Sequence, residues 1–324
     1  MVGQKEIVAA LKGLVDNDRV AHAYIFSGPK GIGKRTAAGI FSSLLLCENP
    51  TRGEACGSCM PCNLLSAGSN PDFYVIDTEN SSISVDEIRK LQEDTIVRPM
   101  YSRYKVYLIA EADKMTVQAQ NCLLKTLEEP HEYVVIILTV SNFSSLLETI
   151  RSRTVRYSFR KNTPQEVKAF LEARYGGGLR SIDFVTSYSD GNVGAAIEMI
   201  NSEEFFNLRE KAVELAFRLK DARLLDVFDA YHFFEEGKGS IDMILDIMLL
   251  LYRDLLIAKK AQKENILINS DKKDIILNNA GQFSTAKLIK NIEIIEYTRK
   301  NIKQNANYQL SIEVMLMKLQ EAED

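Results

Sequence analysis

The chain has 324 residues and a net charge of −4 at pH 7, with 46% hydrophobic and 26% charged residues. This composition is typical of a globular protein, and the length predicts about two domains. Residues 1–160 hold 18 Lys and Arg and 18 Asp and Glu, so the acidic excess lies in the rest of the chain. Neither part has the basic surplus of a protein that grips nucleic acid by itself. The apolar runs are too short to span a bilayer, and no N-terminal signal segment appears. We therefore expect a cytoplasmic protein that has no membrane partner.

The first motif is an altered phosphate-binding loop at residues 28–36, between a predicted strand and a predicted helix. In a Walker A loop, backbone N–H groups cradle phosphates, a lysine contacts the β and γ oxygens, and a Ser or Thr hydroxyl binds Mg²⁺. Arg35 stands in the hydroxyl position, and Thr36 lies one residue late, about 100° further round the helix. We therefore expect an anion site with poor Mg²⁺ binding. The candidate nucleotide-binding residues here are Gly28, Gly31, Gly33, Lys34, Arg35 and Thr36.

The sequence leaves open whether that loop holds ATP or ADP. Arg35 either pairs with a phosphate or folds back and blocks the site. A glycine turn that binds nothing is the alternative interpretation.

Four of the five cysteines follow the loop helix in the pattern C-x8-C-x2-C-x2-C, at Cys47, Cys56, Cys59 and Cys62. Thiolates at this spacing can converge on one tetrahedral Zn²⁺, and a four-thiolate site has no open position, so its role is structural. Disulfides and redox-active thiols are the alternatives. Cys122 lies apart and is predicted to be a small core residue.

A second altered motif lies at the end of the predicted buried strand 105–109. A Walker B strand ends in an Asp that helps to hold Mg²⁺, usually followed by a Glu that polarises water. Here Ala110 occupies the Asp position, while Glu111 remains and joins the candidate nucleotide-binding residues. Two supports for magnesium are thus missing from separate segments. Glu111 as an ordinary solvated acid is the alternative.

In the order in which they occur, these segments resemble the clamp-loader branch of the AAA+ proteins. The resemblance rests on residues 2–4, 22–29, 121–130, 149–154 and 305–313, together with the cysteine cluster. It implies an α/β AAA+ P-loop domain at 1–160, a small helical lid at 161–202 and an all-α collar at 203–324. The P-loop domain is expected to hold a parallel sheet flanked by helices and the zinc knuckle. Its strands are predicted at 23–26, 73–76, 105–109, 134–139 and 154–159.

The resemblance also implies a role for particular residues. Gly194 stands where the motor subunits of the family carry an arginine, a third lost motor feature. Arg153, in Ser-Arg-Thr at 152–154, matches the family's arginine finger, which acts on the ATP of a neighbouring subunit. A solvated arginine is the alternative interpretation.

The implied function is that of a non-hydrolysing subunit that assembles with delta and gamma/tau subunits. Such a complex loads the sliding clamp onto primer-template DNA during replication. An active gamma/tau-like ATPase that uses Thr36 and Glu111 is the second hypothesis. A zinc-dependent nucleic-acid-binding protein is the third, and the balanced charge of the first domain argues against it.

Overall fold

The computed structural model describes residues 2–51, 53–77, 82–176, 181–219, 224–261 and 266–321. Two compact units emerge from the distribution of contacts within the chain. The first comprises Met1–Phe170 with Asp190–Ala195, and the second comprises Leu171–Ser189 with Ala196–Asp324. The predicted three-domain boundaries at 160 and 202 stay a prediction.

A five-stranded parallel sheet forms the centre of the first unit, which confirms the predicted fold class. The strands lie in the order β2-β3-β4-β1-β5, and each pairs in parallel with its neighbours. Their bounds are β1 Ala23–Ser27, β2 Phe73–Ile76, β3 Lys105–Ile109, β4 Val134–Val140 and β5 Val155–Ser158. All five fall within one residue of their predicted bounds.

Helices cover both faces of the sheet, and the mostly apolar strands β1, β3 and β4 are buried along their whole length. One core packs Ile25, Tyr107 and Ile136 against the helices on one face; the other packs Tyr24 and Phe26 on the opposite face. The helices of this part of the chain are α1 Lys5–Asp16, α2 Lys34–Leu46, α3 Met60–Ser66, α4 Val85–Thr95, α5 Val117–Glu128, α6 Glu148–Arg151 and α7 Pro164–Tyr175.

Local sequence signals set several of the helix starts. Ser84 and Glu87 form a capping box at the start of α4, in which each side chain is bonded to the other residue's backbone N–H. At α7, the Glu166 N–H donates to Thr163 Oγ1 at 3.2 Å, ahead of Pro164 in the first turn. The helix α2 begins at Lys34, directly after Gly33 of the loop.

The second unit is helical throughout its described residues. Its helices, of which α9 begins in the first unit, are α8 Ile182–Tyr188, α9 Val193–Ile200, α10 Glu203–Arg218, α11 Leu224–Glu236, α12 Ile241–Ala261, α13 Lys273–Ala280, α14 Thr285–Lys303 and α15 Tyr308–Gln320. Within the described part of the chain, no helix is both long and apolar enough to cross a membrane.

A buried arginine ties elements of this second unit together. Arg209 on α10 pairs through both terminal nitrogens with Asp271, at 2.7 Å each, and also donates to Asn269 at 2.9 Å. Its guanidinium lies 3.4 Å from the ring centroid of Phe184 on α8. Such a charge is compatible with burial because its partners are a carboxylate, an amide oxygen and an aromatic face.

A rigid loop precedes β3 at the amino edge of the sheet. Asp72, only 1% exposed, accepts three consecutive backbone N–H groups, from Met100 at 2.6 Å and from Tyr101 and Ser102 at 2.8 Å. Because one carboxylate holds three adjacent amides, the backbone of this loop is fixed.

We expect Asp72→Asn to destabilise the first unit by about 2 kcal/mol or more, because an amide nitrogen cannot accept these N–H groups. The check is the denaturant midpoint, with hydrogen exchange at residues 100–102 as a local readout. Asp86→Asn is the matched control, since Asp86 forms an exposed pair with Arg89 at 3.0 Å and should matter by less than about 1 kcal/mol. Equal midpoints for the two variants would contradict the expectation.

Candidate functional site

A cleft of about 280 Å³ lies at the carboxyl edge of the sheet. Four adjacent strands, β2, β3, β4 and β1, end beside it, and open parallel sheets bind ligands at this edge. Its lining residues are Lys30, Gly31, Gly33, Lys34, Arg35, Thr36, Asp77, Ala110, Glu111, Thr139, Ser141 and Gly194. Every predicted nucleotide-binding residue except Gly28 therefore lines one cleft.

The loop lysine is bound to the loop itself. Lys34 is 8% exposed, and its Nζ donates to the carbonyl oxygens of Gly28 at 2.6 Å and Pro29 at 2.7 Å. Burial lowers the pKa of this ammonium, while the carboxylates of Asp113 and Glu111 oppose that shift. A phosphate in the cleft would have to compete with two carbonyl oxygens for the lysine.

Arg35 pairs with Asp77, the residue after β2, and both residues line the cleft. Whether Arg35 pairs with a bound phosphate or blocks the site stays a prediction. The guanidinium is neutralised by a carboxylate from a neighbouring strand end. Thr36 is exposed at the cleft and no hydroxyl precedes it in the Walker position.

Glu111 lies at the cleft, but its carboxylate forms an ion pair with a nearby lysine. Its backbone has φ 49°, its N–H donates to Thr139 Oγ1 at 3.1 Å, and its carboxylate pairs with Lys114 at 2.5 Å. The hydrogen bond from Lys114 lowers the pKa of Glu111, although partial burial opposes it. The carboxylate is thus charged, with a fixed cation as its partner. Ala110, buried beside it, offers no oxygen ligand from its side chain.

The start of α9 closes tightly on the glycine loop. The Gly194 N–H donates to the Gly31 carbonyl at 3.0 Å, and a side chain at Gly194 would begin 3.2 Å from Gly31 Cα. Gly31 itself has φ +76°, and a Cβ there would lie 2.0 Å from Asn192 Oδ1. A side chain at position 194 would require the neighbouring loop to shift by a few tenths of an ångström.

Arg153 lies away from this cleft. It follows α6 and precedes β5, so it is placed at the amino edge of the sheet, whereas the cleft lies at the carboxyl edge. Its Nη1 donates to the Thr149 carbonyl at 3.1 Å and to Ser152 Oγ at 3.3 Å. Its Nη2 lies 2.9 Å from Glu128 Oε1. The geometry separates Arg153 from the chain's own loop.

The four predicted metal ligands form a cluster. The sulfur atoms of Cys47, Cys56, Cys59 and Cys62 all lie within 4.8 Å of one another. A tetrahedral site with Zn–S bonds of about 2.3 Å has sulfurs about 3.8 Å apart, so small adjustments fit such an ion. The cluster can therefore bind a metal such as zinc.

Local structure explains why these sulfurs converge. Cys47 follows the last residue of α2, and Cys59 immediately precedes α3. Backbone N–H groups donate hydrogen bonds to two of the sulfurs. The Cys56 N–H donates to Cys47 Sγ at 3.2 Å, and the Cys59 N–H donates to Cys56 Sγ at 3.3 Å. Backbone hydrogen bonds lower the pKa of Cys56 to about 6, whereas burial raises the pKa of Cys47. Cys122 lies elsewhere; it is half-buried and packs against one core, whereas the prediction placed it within a core.

Three cleft residues outside the sequence motifs were not predicted. Asp77 follows β2, and Thr139 and Ser141 lie at and beyond the carboxyl end of β4, which pairs with β1. Ser141 Oγ lies 3.4 Å from Lys34 Nζ. The strand ends were the available signal, but the order of the strands was not known.

Comparisons with known proteins place the chain in a family. A family model described as "DNA polymerase III, delta subunit" matches residues 3–163, and "DNA polymerase III, delta subunit, C terminal" matches 203–321. The subunit delta' of DNA polymerase III from Bacillus subtilis is 30% identical over 322 residues, 98% of this chain and 96% of that protein. The subunit tau from the same organism is 28% identical over 98% of this chain, which spans 60% of tau.

Among solved structures, a gamma subunit-related protein from Thermotoga maritima aligns with a TM-score of 0.49 and 18% identity. The alignment covers 97% of this chain and 98% of that one. The matches along both halves of the sequence, and the near-complete overlap with the Bacillus delta' subunit, show that this chain belongs to the delta' family of DNA polymerase III subunits.

Proposed function

We propose that this chain is a non-hydrolysing subunit of a clamp loader. In this role it assembles with delta and gamma/tau subunits to load the sliding clamp onto primer-template DNA. Arg153 serves as an arginine finger for the ATP of a neighbouring subunit. The location of such a replication complex is the cytoplasm.

The observation that carries the proposal is the separation of the two sites. The chain's own cleft lacks the Walker hydroxyl and the Walker Asp, and Lys34 is bound to loop carbonyls. Arg153 lies at the opposite edge of the sheet, half-exposed. A planar cation in that place can stabilise the charge on a transferring phosphoryl group only in a second molecule.

A residual nucleotide site in the chain's own cleft is a separate matter. Lys34 and the N-terminus of α2 can hold an anion such as the phosphates of ATP or ADP once Lys34 leaves Gly28 and Pro29. The hydroxyl of Thr36 lies one residue beyond the position that binds Mg²⁺ in a Walker A loop. The carboxylate of Glu111 is already paired with Lys114. We infer that nucleotide binding there is weak and that Mg²⁺ is poorly held.

An active gamma/tau-like ATPase is the second candidate, favoured by the 28% identity with a tau subunit. Such an enzyme would use Thr36 as the metal ligand and Glu111 to polarise water. The two candidates differ in which residue of this chain controls ATP turnover.

The domain roles follow the same proposal. Residues 1–160 form the P-loop domain, 161–202 a lid and 203–324 a collar for assembly. Structural Zn²⁺ bound by the cysteine cluster would join the end of α2 to the start of α3.

We expect Arg153→Ala to lower the DNA-stimulated ATP turnover of the reconstituted complex, by up to about 10³-fold at the site that it serves. The protein should stay folded, because Arg153 is half-exposed. Arg151→Ala is the matched control and should leave turnover unchanged. Unchanged turnover with Arg153→Ala would exclude the finger role.

Lys34→Ala separates the two candidates. If this chain's own cleft does not hydrolyse ATP, removing its loop lysine leaves the turnover of the complex unchanged, in contrast to removal of Arg153. The measurement is the steady-state ATPase rate of complexes that contain each variant. A fall in turnover with Lys34→Ala, together with hydrolysis by the purified wild-type chain, would favour the ATPase.

We expect Cys59→Ser to release about one equivalent of zinc and to lower the thermal midpoint of the first domain, because a four-thiolate site loses one ligand. Elemental analysis of natively purified protein is the measurement. Cys122→Ser is the control, since Cys122 Sγ lies beside Gln92 Oε1 at 3.1 Å and outside the cluster. Wild-type protein that contains no zinc would refute the assignment.

A further inference from the structure

Two segments that are distant in sequence meet at Arg153. Glu128 is the last residue of α5, and Arg153 lies between α6 and β5. The carboxylate takes the Nη2 side of the guanidinium at 2.9 Å. The Thr149 carbonyl and Ser152 Oγ take the Nη1 side. Partners on both sides fix the plane of the guanidinium, and only Glu128 comes from outside the segment that carries the arginine.

This ion pair contributes little to the stability of the fold. The side chains of Arg153 and Glu128 are 37% and 49% exposed. Exposed pairs of this kind add little to the free energy of unfolding. We therefore expect the ion pair to affect the orientation of the arginine rather than the stability of the fold.

Orientation has a measurable value for an arginine that acts on a second molecule. A free arginine side chain loses rotamer entropy when it is fixed. If the guanidinium is already fixed in the free subunit, less of this cost falls on the productive contact. The carboxylate leaves part of the guanidinium exposed, as a group that contacts a neighbour must be.

We propose that Glu128 is a positioning residue for Arg153, which holds the guanidinium in the direction that the neighbouring ATP site requires. The inference rests on the proposed function of Arg153 and goes beyond it by naming the group that orients the finger. Glu128 contacts neither the nucleotide nor the reacting atoms; it acts only through Arg153.

The test compares Glu128→Ala, Glu128→Gln and Glu129→Ala in the reconstituted complex, each alone and combined with Arg153→Ala. Glu129 is the matched control, because it is the adjacent exposed carboxylate. We expect Glu128→Ala to lower kcat about two- to fivefold with KM for ATP unchanged, a range set by the small free energy of a half-exposed ion pair. Glu128→Gln keeps an oxygen acceptor and should restore most of the rate. Glu129→Ala should have no effect.

The double variant shows whether Glu128 acts through the arginine. With Arg153→Ala already present, Glu128→Ala should cause no further loss. In the free chain, NMR order parameters of the Arg153 guanidinium should fall with Glu128→Ala, while the thermal midpoint stays close to that of the wild type.

The outcomes distinguish the finger role of Arg153 from the positioning role of Glu128. If Arg153→Ala itself has no effect, the proposed finger role fails. If Arg153→Ala lowers turnover but Glu128→Ala does not, or raises it, the positioning role alone is overturned. An equal loss from Glu128→Ala with and without Arg153 would likewise overturn it, because Glu128 would then act independently of the arginine.

Discussion

The parallel direction of the five strands is the constraint on which the site depends. Because every strand runs the same way, the loops after β1, β2, β3 and β4 meet at one edge of the sheet and form the cleft. The same direction places the residues that precede β5 at the other edge, where Arg153 pairs with Glu128. The parallel strand direction thus separates the cleft from Arg153. Within a single molecule, Arg153 cannot contact a ligand that is bound in the cleft.

Three charged side chains of the cleft already have partners within the protein. Lys34 donates to loop carbonyls, Arg35 pairs with Asp77, and Glu111 pairs with Lys114. In an active ATPase such groups are directed at phosphate, metal or water. The contact between Gly31 and Gly194 leaves little space for a side chain at position 194. These features agree with the missing ligands in the sequence and support a subunit that has lost hydrolysis.

Much of this architecture was predictable from local sequence. The five strands follow from apolar runs, the start of α4 from a capping box, and the cysteine cluster from spacing alone. The pairing of Lys34 with its own loop was not predictable, because it depends on backbone carbonyl directions. Asp77, Thr139 and Ser141 were missed because strand order sets which loops meet. The Glu128–Arg153 pair joins residues 25 positions apart, so neither local pattern nor spacing indicates it.

The central claim is that Arg153, and not the chain's own cleft, acts in ATP hydrolysis. The most direct measurement is a structure of the assembled complex with an ATP analogue and Mg²⁺. The account predicts the Arg153 guanidinium within hydrogen-bond distance of the γ-phosphate bound to the adjacent subunit. A fully coordinated Mg²⁺ and a triphosphate positioned for in-line attack in this chain's own cleft, with Arg153 remote from any nucleotide, would contradict it.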